Sequence, residues 1–183
     1  MAKLIILNGP KRSGKDTAAQ AIQDYFGGPD QIEHVKLSQP LKDIVSQVTG
    51  TDFSDDYKDS PDHGFRSKSY RKLQIEVYNR LSEVFGPDWL GLCLLNHLED
   101  TDAQCVVCSD GGRDDDIKAL EHLGPSDLLI IQIIRPEHDF TNDIRHYIST
   151  KGATVRTIVN NDRDEYINNV IDLAGQFFAG ELT

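Results

Sequence analysis

The chain has 183 residues, and its 30 aspartates and glutamates against 19 lysines and arginines give a formal net charge of −11. This acidity argues against extended contact with polymeric nucleic acid or an anionic membrane surface, although a small anion needs only a local group of cations. The length predicts a single domain over 1–183, and no apolar run approaches the roughly 20 residues that span a bilayer or resembles a secretory leader.

Short apolar runs alternate along the chain with helical patterns. Runs rich in Ile, Val and Leu without polar alternation are typical of strands buried on both faces of a parallel sheet. The predicted strands are Lys3–Asn8, Ile32–Leu37, Gln104–Ser109, Leu128–Ile134 and Thr154–Asn160. The predicted helices are Gly14–Phe26, Pro40–Thr49, Tyr70–Phe85, Asp88–Leu98, Asp115–Leu123 and Arg163–Phe178. This order predicts right-handed βαβ units in a three-layer α/β domain with a five-stranded parallel sheet.

Spacing within these elements allows finer predictions. One face of the third helix is predicted to carry Leu73, Val77, Leu81 and Val84. Asp88 is placed to cap the fourth helix. Cys105 and Cys108 imitate a CxxC motif, but residues three apart in a strand point to opposite faces and cannot share a ligand. An odd number of cysteines in a chain of this size fits a reducing compartment, so we expect a cytoplasmic protein.

Two long polar stretches fit the alternation poorly. They are Asp52–Lys68, which contains Pro61 and Gly64, and 136–152. Connections of this length are uncommon in a compact domain unless they are functional loops or lids. We therefore predict that both take part in function, with idle surface loops as the alternative.

A glycine-bounded loop joins the first predicted strand to the first helix. It reads Gly9-Pro-Lys-Arg-Ser-Gly-Lys-Asp-Thr17, a G-x-x-x-x-G-K pattern in the strand, loop and helix context that the motif requires. Backbone N–H groups of such a loop surround a phosphate, and Lys15 would reach the β- and γ-phosphates. The predicted nucleotide contacts in this loop are Gly9, Lys11, Arg12, Ser13, Gly14, Lys15, Asp16 and Thr17. A strand-to-helix turn without a ligand is the alternative.

Asp16 follows the lysine of the motif, where a Ser or Thr hydroxyl usually holds Mg²⁺. A carboxylate is also a hard oxygen ligand, so Asp16 and Thr17 are the predicted Mg²⁺ contacts. The strings Asn160–Arg163 and Asp110–Arg113 satisfy neither the N-K-x-D nor the D-x-x-G motif of a GTPase, and the acidity disfavours a motor that acts on polymers. By elimination, we predict a small-molecule kinase that uses ATP and Mg²⁺.

Several motifs together resemble the phage-type deoxynucleoside monophosphate kinases. The phosphate loop ends in Gly-Lys-Asp-Thr and is followed by Leu37-Ser-Gln-Pro-Leu-Lys-Asp43. Further matches, in the order of that family, are Ser69–Gln74, Gly86–Trp89, Val107–Asp110, Ile133–Pro136 and Val159–Asp162. They cover nearly the whole chain. Phosphomevalonate kinases of animal type have a similar phosphate loop and stay open as an alternative, as does a non-catalytic nucleotide-binding regulatory protein.

The resemblance implies an α/β P-loop fold with strand order 2-3-1-4-5. It also implies transfer of the γ-phosphoryl group of ATP to a deoxynucleoside monophosphate, an acceptor-binding insert at about 38–100 and a lid at about 136–152. For a phage-encoded protein the compartment would be the host cytoplasm. A homodimer is a further implication, although no helix is apolar enough outside its core face to predict the interface.

The same resemblance assigns roles to individual residues. The implied catalytic group is Lys15, Asp16, Asp110 and Arg135, with Arg145 as an alternative arginine in the lid. The implied acceptor contacts are Ser38, Lys42, Arg71, Lys72, Trp89, Asp110, Arg113 and Asp116. Asn161 is the implied contact to the donor adenine, and His146 is expected to be an ordinary lid residue.

Alternatives remain for several of these roles. Arg71 and Lys72 also fit a solvated helix face, and Trp89 also fits core packing. The family has the pattern Asp-x-Arg, whereas this chain has Asp110-Gly-Gly-Arg113, so its arginine comes one residue later. The family's acidic residue just beyond could correspond to Asp114, Asp115 or Asp116. One cleft is predicted to gather the cations Lys11, Arg12, Lys15, Lys42, Arg71, Lys72, Arg113 and Arg135.

Overall fold

Five parallel strands form the sheet that the apolar runs predict. The computed structural model describes residues 1–51, 57–62, 65–111, 113–141 and 145–182. Within them the strands are β1 (Lys3–Asn8), β2 (Ile32–Val35), β3 (Cys105–Cys108), β4 (Leu128–Ile134) and β5 (Thr154–Val159). The helices are α1 (Lys15–Tyr25), α2 (Gln39–Thr49), α3 (Tyr70–Phe85), α4 (Trp89–Asp100), α5 (Asp114–Lys118) and α6 (Arg163–Ala179). The predicted elements are therefore confirmed, with shifts at their ends.

The strands lie in the order β2-β3-β1-β4-β5, which confirms the predicted topology. β1 is central, and its Ile5 pairs with Val107 of β3 on one side and with Leu129 of β4 on the other. Parallel strands place all their carboxyl ends at one edge of the sheet. The loops after β1, β2, β3 and β4 therefore meet at that edge, with the glycine-bounded loop in the middle.

Helices cover both faces of the sheet and bury two apolar layers. One layer contains Leu4, Ile6 and Cys108 with residues of α2 to α5. The other contains Leu7 and Cys105 with residues of α1 and α6. The two cysteines lie on opposite faces, as their spacing predicts, so they share no ligand. Continuous burial of β1 on both faces explains its unbroken apolar sequence.

Some predicted details of the helices are wrong. Val84, which the spacing places on one helix face with Leu73, Val77 and Leu81, is 72% exposed. It lies in the last turn of α3, just before the chain turns at Gly86, and no element within the described residues covers it. The buried residues of α3 include Tyr78, which the apolar spacing does not identify. Asp88 stands at the N-cap of α4, but its side chain makes no capping hydrogen bond.

The segment 145–150 is anchored to the sheet. Asn8, buried at the end of β1, accepts a hydrogen bond from the Ile148 amide at 2.9 Å and donates one to the His146 carbonyl oxygen at 3.2 Å. Gln132 of β4 donates to the Ile148 carbonyl oxygen at 3.0 Å, and Ile148 is fully buried. This half of the predicted lid is therefore fixed.

None of the helices that the structure describes is long and apolar enough to span a bilayer.

Candidate active site

The backbone of the glycine-bounded loop after β1 requires glycine at two positions. A Cβ atom on Gly9 would lie 2.6 Å from the Ser13 hydroxyl oxygen and 2.7 Å from the Ile133 carbonyl oxygen, so any larger residue would clash. Gly14 has a φ of 104°, in the left-handed region that favours glycine. Arg12 also has a positive φ, of 65°. The close approach of neighbouring atoms thus explains Gly9 of the motif, and the left-handed backbone conformation explains Gly14.

Three consecutive carbonyl oxygens of this loop each accept a hydrogen bond from a distant side chain. Arg135 donates to the Arg12 oxygen at 2.7 Å, Asn160 donates to the Ser13 oxygen at 2.8 Å, and the Tyr166 hydroxyl donates to the Gly14 oxygen at 3.0 Å. The donors come from the end of β4, the end of β5 and α6. Together they fix the orientation of three successive peptide groups ahead of the α1 N-terminus, where the dipole and the amides favour an anion.

The Lys15 ammonium lies over this loop. Its Nζ donates to the carbonyl oxygens of Gly9 at 2.8 Å and Pro10 at 2.6 Å, and lies 3.4 Å from the Ser13 hydroxyl oxygen. An ammonium group held by loop oxygens at this point has to move only a short distance to bind phosphate oxygens in their place. The geometry fits the predicted contact of Lys15 with the β- and γ-phosphates.

Asp16 belongs to a polar network that the sequence analysis did not identify. Its Oδ1 accepts a hydrogen bond from the Ser109 hydroxyl at 2.6 Å and lies 3.3 Å from the Lys36 ammonium. The Ser109 oxygen lies 2.8 Å from Nε2 of His34. Burial opposes ionisation of Asp16, but the Ser109 hydrogen bond and the Lys36 charge outweigh it, so the pKa of Asp16 is lowered. Burial is also the main cause that lowers the pKa of His34 and favours its neutral ring.

Topology is the signal that would have revealed this network. His34 and Lys36 lie in and just after β2, and Ser109 directly follows β3. Both strand ends face the same edge as the start of α1. Polar residues at adjacent strand ends meet there, even when they are far apart in sequence.

Ser38 and Asp110, two predicted acceptor contacts, are in direct contact. The Ser38 hydroxyl donates to Oδ2 of Asp110 at 2.5 Å, and the Ser38 amide reaches the same oxygen at 3.2 Å. Oδ1 accepts the Leu37 amide at 2.5 Å. Asp110 therefore ties the segment before α2 to the end of β3 and holds Ser38 in place.

Arg71, at the start of α3, is held by the polar loop before it. Its guanidinium pairs with the carboxylate of Asp59, and its amide donates to the Lys58 carbonyl oxygen at 2.9 Å. The Arg71 hydrogen bond is the main cause that lowers the pKa of Asp59, with smaller contributions from nearby charges that include Lys11 of the phosphate loop. Lys72 is exposed on the same turn. The Asp52–Lys68 stretch thus reaches the site through its described part, whereas 52–56 and 63–64 lie outside the described residues.

Trp89 and Asp116, two of the predicted acceptor contacts, are both buried. Trp89 is 6% exposed and its ring lies 6.1 Å from that of Tyr78, so its position favours the core-packing alternative. Asp116 is 4% exposed and accepts hydrogen bonds from the Arg113 amide at 3.1 Å and the Tyr78 hydroxyl at 3.3 Å. The Arg113 guanidinium stacks 4.2 Å from the Tyr78 ring centre. These residues form one packed cluster beside α4.

The other acidic candidates after Asp110 have partners of their own. Asp114 lies 2.8 Å from Nε2 of His146, and Asp115 pairs with Lys118 at 2.9 Å. The first contact links the start of α5 to the anchored segment 145–150. Position 112, in the middle of the Asp110-Gly-Gly-Arg113 string, lies outside the described residues. Positions 142–144 of the predicted lid also lie outside them.

Asn160, which directly follows β5, contacts the phosphate loop, and the next residue, Asn161, is exposed. Of the cations predicted to gather in one cleft, Arg135 donates to the Arg12 backbone oxygen, and Lys15 donates to the Gly9 and Pro10 oxygens of the same loop. Lys11 and Arg71 are related through Asp59. Arg113 lies apart from them, over Tyr78.

The sequence matches no family model and no curated protein. Among solved structures, a putative kinase from Chloroflexus aurantiacus is 15% identical with a TM-score of 0.52, over 98% of this chain and 97% of that chain. A sugar kinase from Janibacter is 10% identical, with a TM-score of 0.47 over 98% and 95% of the two chains. A gluconokinase from Sinorhizobium meliloti is 13% identical, with a TM-score of 0.46 over 98% and 97%. The first likeness and the strand order give the chain the α/β P-loop fold.

Proposed function

We propose that this protein transfers the γ-phosphoryl group of ATP to a deoxynucleoside monophosphate, giving ADP and the diphosphate. The observation that carries the proposal is the loop 9–17, in which the Lys15 ammonium lies over the Gly9 and Pro10 oxygens while three distant side chains hold the next part of the loop by its Arg12, Ser13 and Gly14 oxygens. Such a loop is built for the phosphates of a nucleotide, and the adjacent strand ends offer polar side chains for a second ligand.

The donor half of the site has the residues that a metal-bound nucleotide needs. Mg²⁺ is commonly bound through one or two carboxylates together with substrate phosphates. The exposed carboxylate of Asp16, beside the α1 N-terminus, suits that donor set, and Thr17 lies next to it. Mg²⁺ would neutralise charge on the phosphate oxygens when bound. Lys15 would supply a second positive charge on the same phosphates.

The acceptor half would lie between the start of α2 and the start of α3. Ser38 is fixed there by Asp110, and Arg71 and Lys72 provide positive charge on the facing helix. We assign Arg71 and Lys72 to the acceptor phosphate and Ser38 to the nucleoside monophosphate. The Asp59 carboxylate that pairs with Arg71 marks where an anion binds this guanidinium. An acceptor phosphate is also an anion and, like a carboxylate, can accept two parallel N–H bonds from a guanidinium.

The reaction needs positioning and charge neutralisation more than base catalysis. An oxygen of the acceptor phosphate, already ionised near neutral pH, attacks the γ-phosphorus of ATP. The new P–O bond forms as the bond from that phosphorus to the β,γ-bridging oxygen breaks, and ADP leaves with the electron pair. Lys15 would stabilise the charge that builds on the transferring group, and Arg135 would keep the loop in shape.

A panel of acceptors tests the proposal. Purified protein with ATP and Mg²⁺ is offered dTMP, dGMP, dCMP and dAMP, and ADP release is measured. Turnover of any of them supports the proposal. Activity only on an isoprenoid phosphate would identify a different small-molecule kinase. ATP binding without ADP release on any monophosphate would favour the non-catalytic alternative. The cytoplasmic location and the homodimer stay predictions.

A further inference from the structure

The start of α1 and the end of β3 carry a pair of side chains in an unusual arrangement. In P-loop NTPases, Mg²⁺ is held by a Ser or Thr after the motif lysine and by an Asp at a strand end, the Walker-B position. Here the residue after Lys15 is Asp16, and the residue that directly follows β3 is Ser109. The two are in contact, since the Ser109 hydroxyl donates to Oδ1 of Asp16 at 2.6 Å. The helix position therefore carries a carboxylate and Ser109 offers it a hydroxyl, while the strand-end carboxylate one residue further on, Asp110, is bound by the Leu37 amide and the Ser38 hydroxyl.

We propose that Asp16 and Ser109 are a reversed form of this magnesium-holding pair. Asp16 supplies the carboxylate from the helix, and Ser109 is a positioning residue that orients it from the strand end. The inference rests on the proposed function, because the metal is the one that accompanies the bound nucleotide.

The direction of the hydrogen bonds supports a positioning role for Ser109. A serine hydroxyl has one proton, and here it is donated to Asp16. Nε2 of His34, 2.8 Å from the same oxygen, must then carry its own proton and donate it. The order His34 to Ser109 to Asp16 is thereby fixed. Ser109 is almost fully buried, so solvent has little access to its hydroxyl.

The partners of Asp16 leave one of its oxygens to a cation. Ser109 and the Lys36 ammonium both contact Oδ1, at 2.6 Å and 3.3 Å. Within the described part of the chain, Oδ2 accepts no hydrogen bond, and the side chain is 67% exposed. Fixing one oxygen from the protein side orients the other toward the nucleotide. The competing explanation is that Lys36 neutralises Asp16 and no metal binds there.

Metal binding, measured apart from turnover, separates these explanations. Mn²⁺ is titrated into protein saturated with ADP, and free Mn²⁺ is followed by electron paramagnetic resonance. Ser109→Ala should weaken Mn²⁺ binding by about 10- to 100-fold, the usual effect of losing a partner of a metal ligand. Ser109→Thr keeps the hydroxyl and should restore the affinity. The matched control is Ser126→Ala, which removes an exposed serine bonded to the Asp127 carboxylate and should change nothing.

A reciprocal exchange is the stronger test. Asp16→Ser leaves two hydroxyls and Ser109→Asp leaves two carboxylates, and each should impair Mn²⁺ binding. The double variant Asp16→Ser/Ser109→Asp re-creates the usual arrangement and should bind Mn²⁺ more tightly than Asp16→Ser. Unchanged affinity in Ser109→Ala, or a double variant no better than Asp16→Ser, would overturn the proposal.

Two controls separate this inference from misfolding and from the proposed function. Binding of ADP in the presence of EDTA reports an intact phosphate loop and should be unaffected by Ser109→Ala. If the wild-type protein phosphorylates a deoxynucleoside monophosphate but Ser109→Ala keeps its Mn²⁺ affinity, only the reversed pair is wrong. If Ser109→Ala loses that affinity but no monophosphate is turned over, only the proposed function is wrong.

Discussion

Asn160 donates a hydrogen bond from Nδ2 to the carbonyl oxygen of Ser13 at 2.8 Å and so joins the end of β5 to the phosphate loop. The same nitrogen lies where a side chain on Gly14 would have to go, since a Cβ there would be 2.6 Å away. The loop therefore depends on a residue near the far end of the chain. Its neighbour Asn161 is exposed.

These two adjacent asparagines should behave differently when replaced. Asn160→Ala leaves the buried Ser13 carbonyl oxygen without its donor, which should lower the free energy of unfolding by about 1–3 kcal/mol and weaken ATP binding. Asn161→Ala should leave stability unchanged and raise the KM for ATP only if Asn161 contacts the adenine. Urea unfolding and ATP titration check both variants. Equal stability losses would contradict the distinction.

Replacement of Lys15 tests the phosphate loop. Lys15→Ala removes the cation that faces the transferring group, so kcat should fall by at least about two orders of magnitude. ADP release with the best acceptor measures it. Lys118→Ala is the matched control, because Lys118 is an exposed lysine paired only with Asp115 in the described structure, and its activity should be normal. A Lys15→Ala enzyme of near-normal activity would remove the basis of the proposed function.

Arg71 is predicted to serve the acceptor and not the donor. Arg71→Ala should raise the KM for the deoxynucleoside monophosphate by roughly 10- to 100-fold, the value of a hydrogen bond to a charged group, with the KM for ATP unchanged. Arg80→Ala is the control on the same helix, where the guanidinium pairs with Glu83 at 2.8 Å on the surface. Steady-state kinetics with each substrate varied in turn decide the outcome. A rise in the KM for ATP would instead place Arg71 on the donor side.

Asp116 gives a prediction about pH and stability. Burial, the largest cause, raises the pKa of this carboxyl above its ordinary value of 3.8. At pH values between the pKa of Asp116 in the unfolded chain and its higher pKa in the folded protein, the folded state binds more protons than the unfolded state. The wild-type free energy of unfolding therefore falls as pH rises through this range. Asp116→Asn keeps an acceptor for the Arg113 amide and loses this titration.

The difference in unfolding free energy, variant minus wild type, should therefore increase as pH rises through this window and then level off. Urea unfolding of both proteins from about pH 3 to pH 7 brackets the window around the carboxyl pKa. Asp115→Asn, at an exposed pair with Lys118, is the control. A difference that stays constant over the whole pH range would contradict the burial effect.

The sequence predicts the sheet and the phosphate loop well because their signals are local. An unbroken apolar run such as 128–134 has few alternatives to a buried strand, and Gly9 and Gly14 are needed for reasons that lie within the loop and its immediate neighbours. Strand order came from the family resemblance and not from periodicity.

Contacts between strand ends could not be predicted in the same way. The Asp16 network depends on the side chains that β2 and β3 present at their carboxyl ends, and a shift of one residue in either would replace them. Choosing between Asn160 and Asn161 required the same knowledge of where β5 ends. Val84 illustrates the opposite error, because helical spacing gives the face of a residue but not whether a neighbouring element extends far enough to cover it.

The central position of β1 has a consequence for the synthesis of the protein. β1 is translated before its partners β3 and β4, and Asn160 and Tyr166 come later still. The nascent chain therefore carries its motif lysine long before it has a sheet to hold the loop in shape. A translation product that stops before α6 would contain the complete phosphate-loop sequence but would lack the Tyr166 hydroxyl that holds the Gly14 oxygen. The loop as described here can therefore form only after the chain has been made as far as Tyr166.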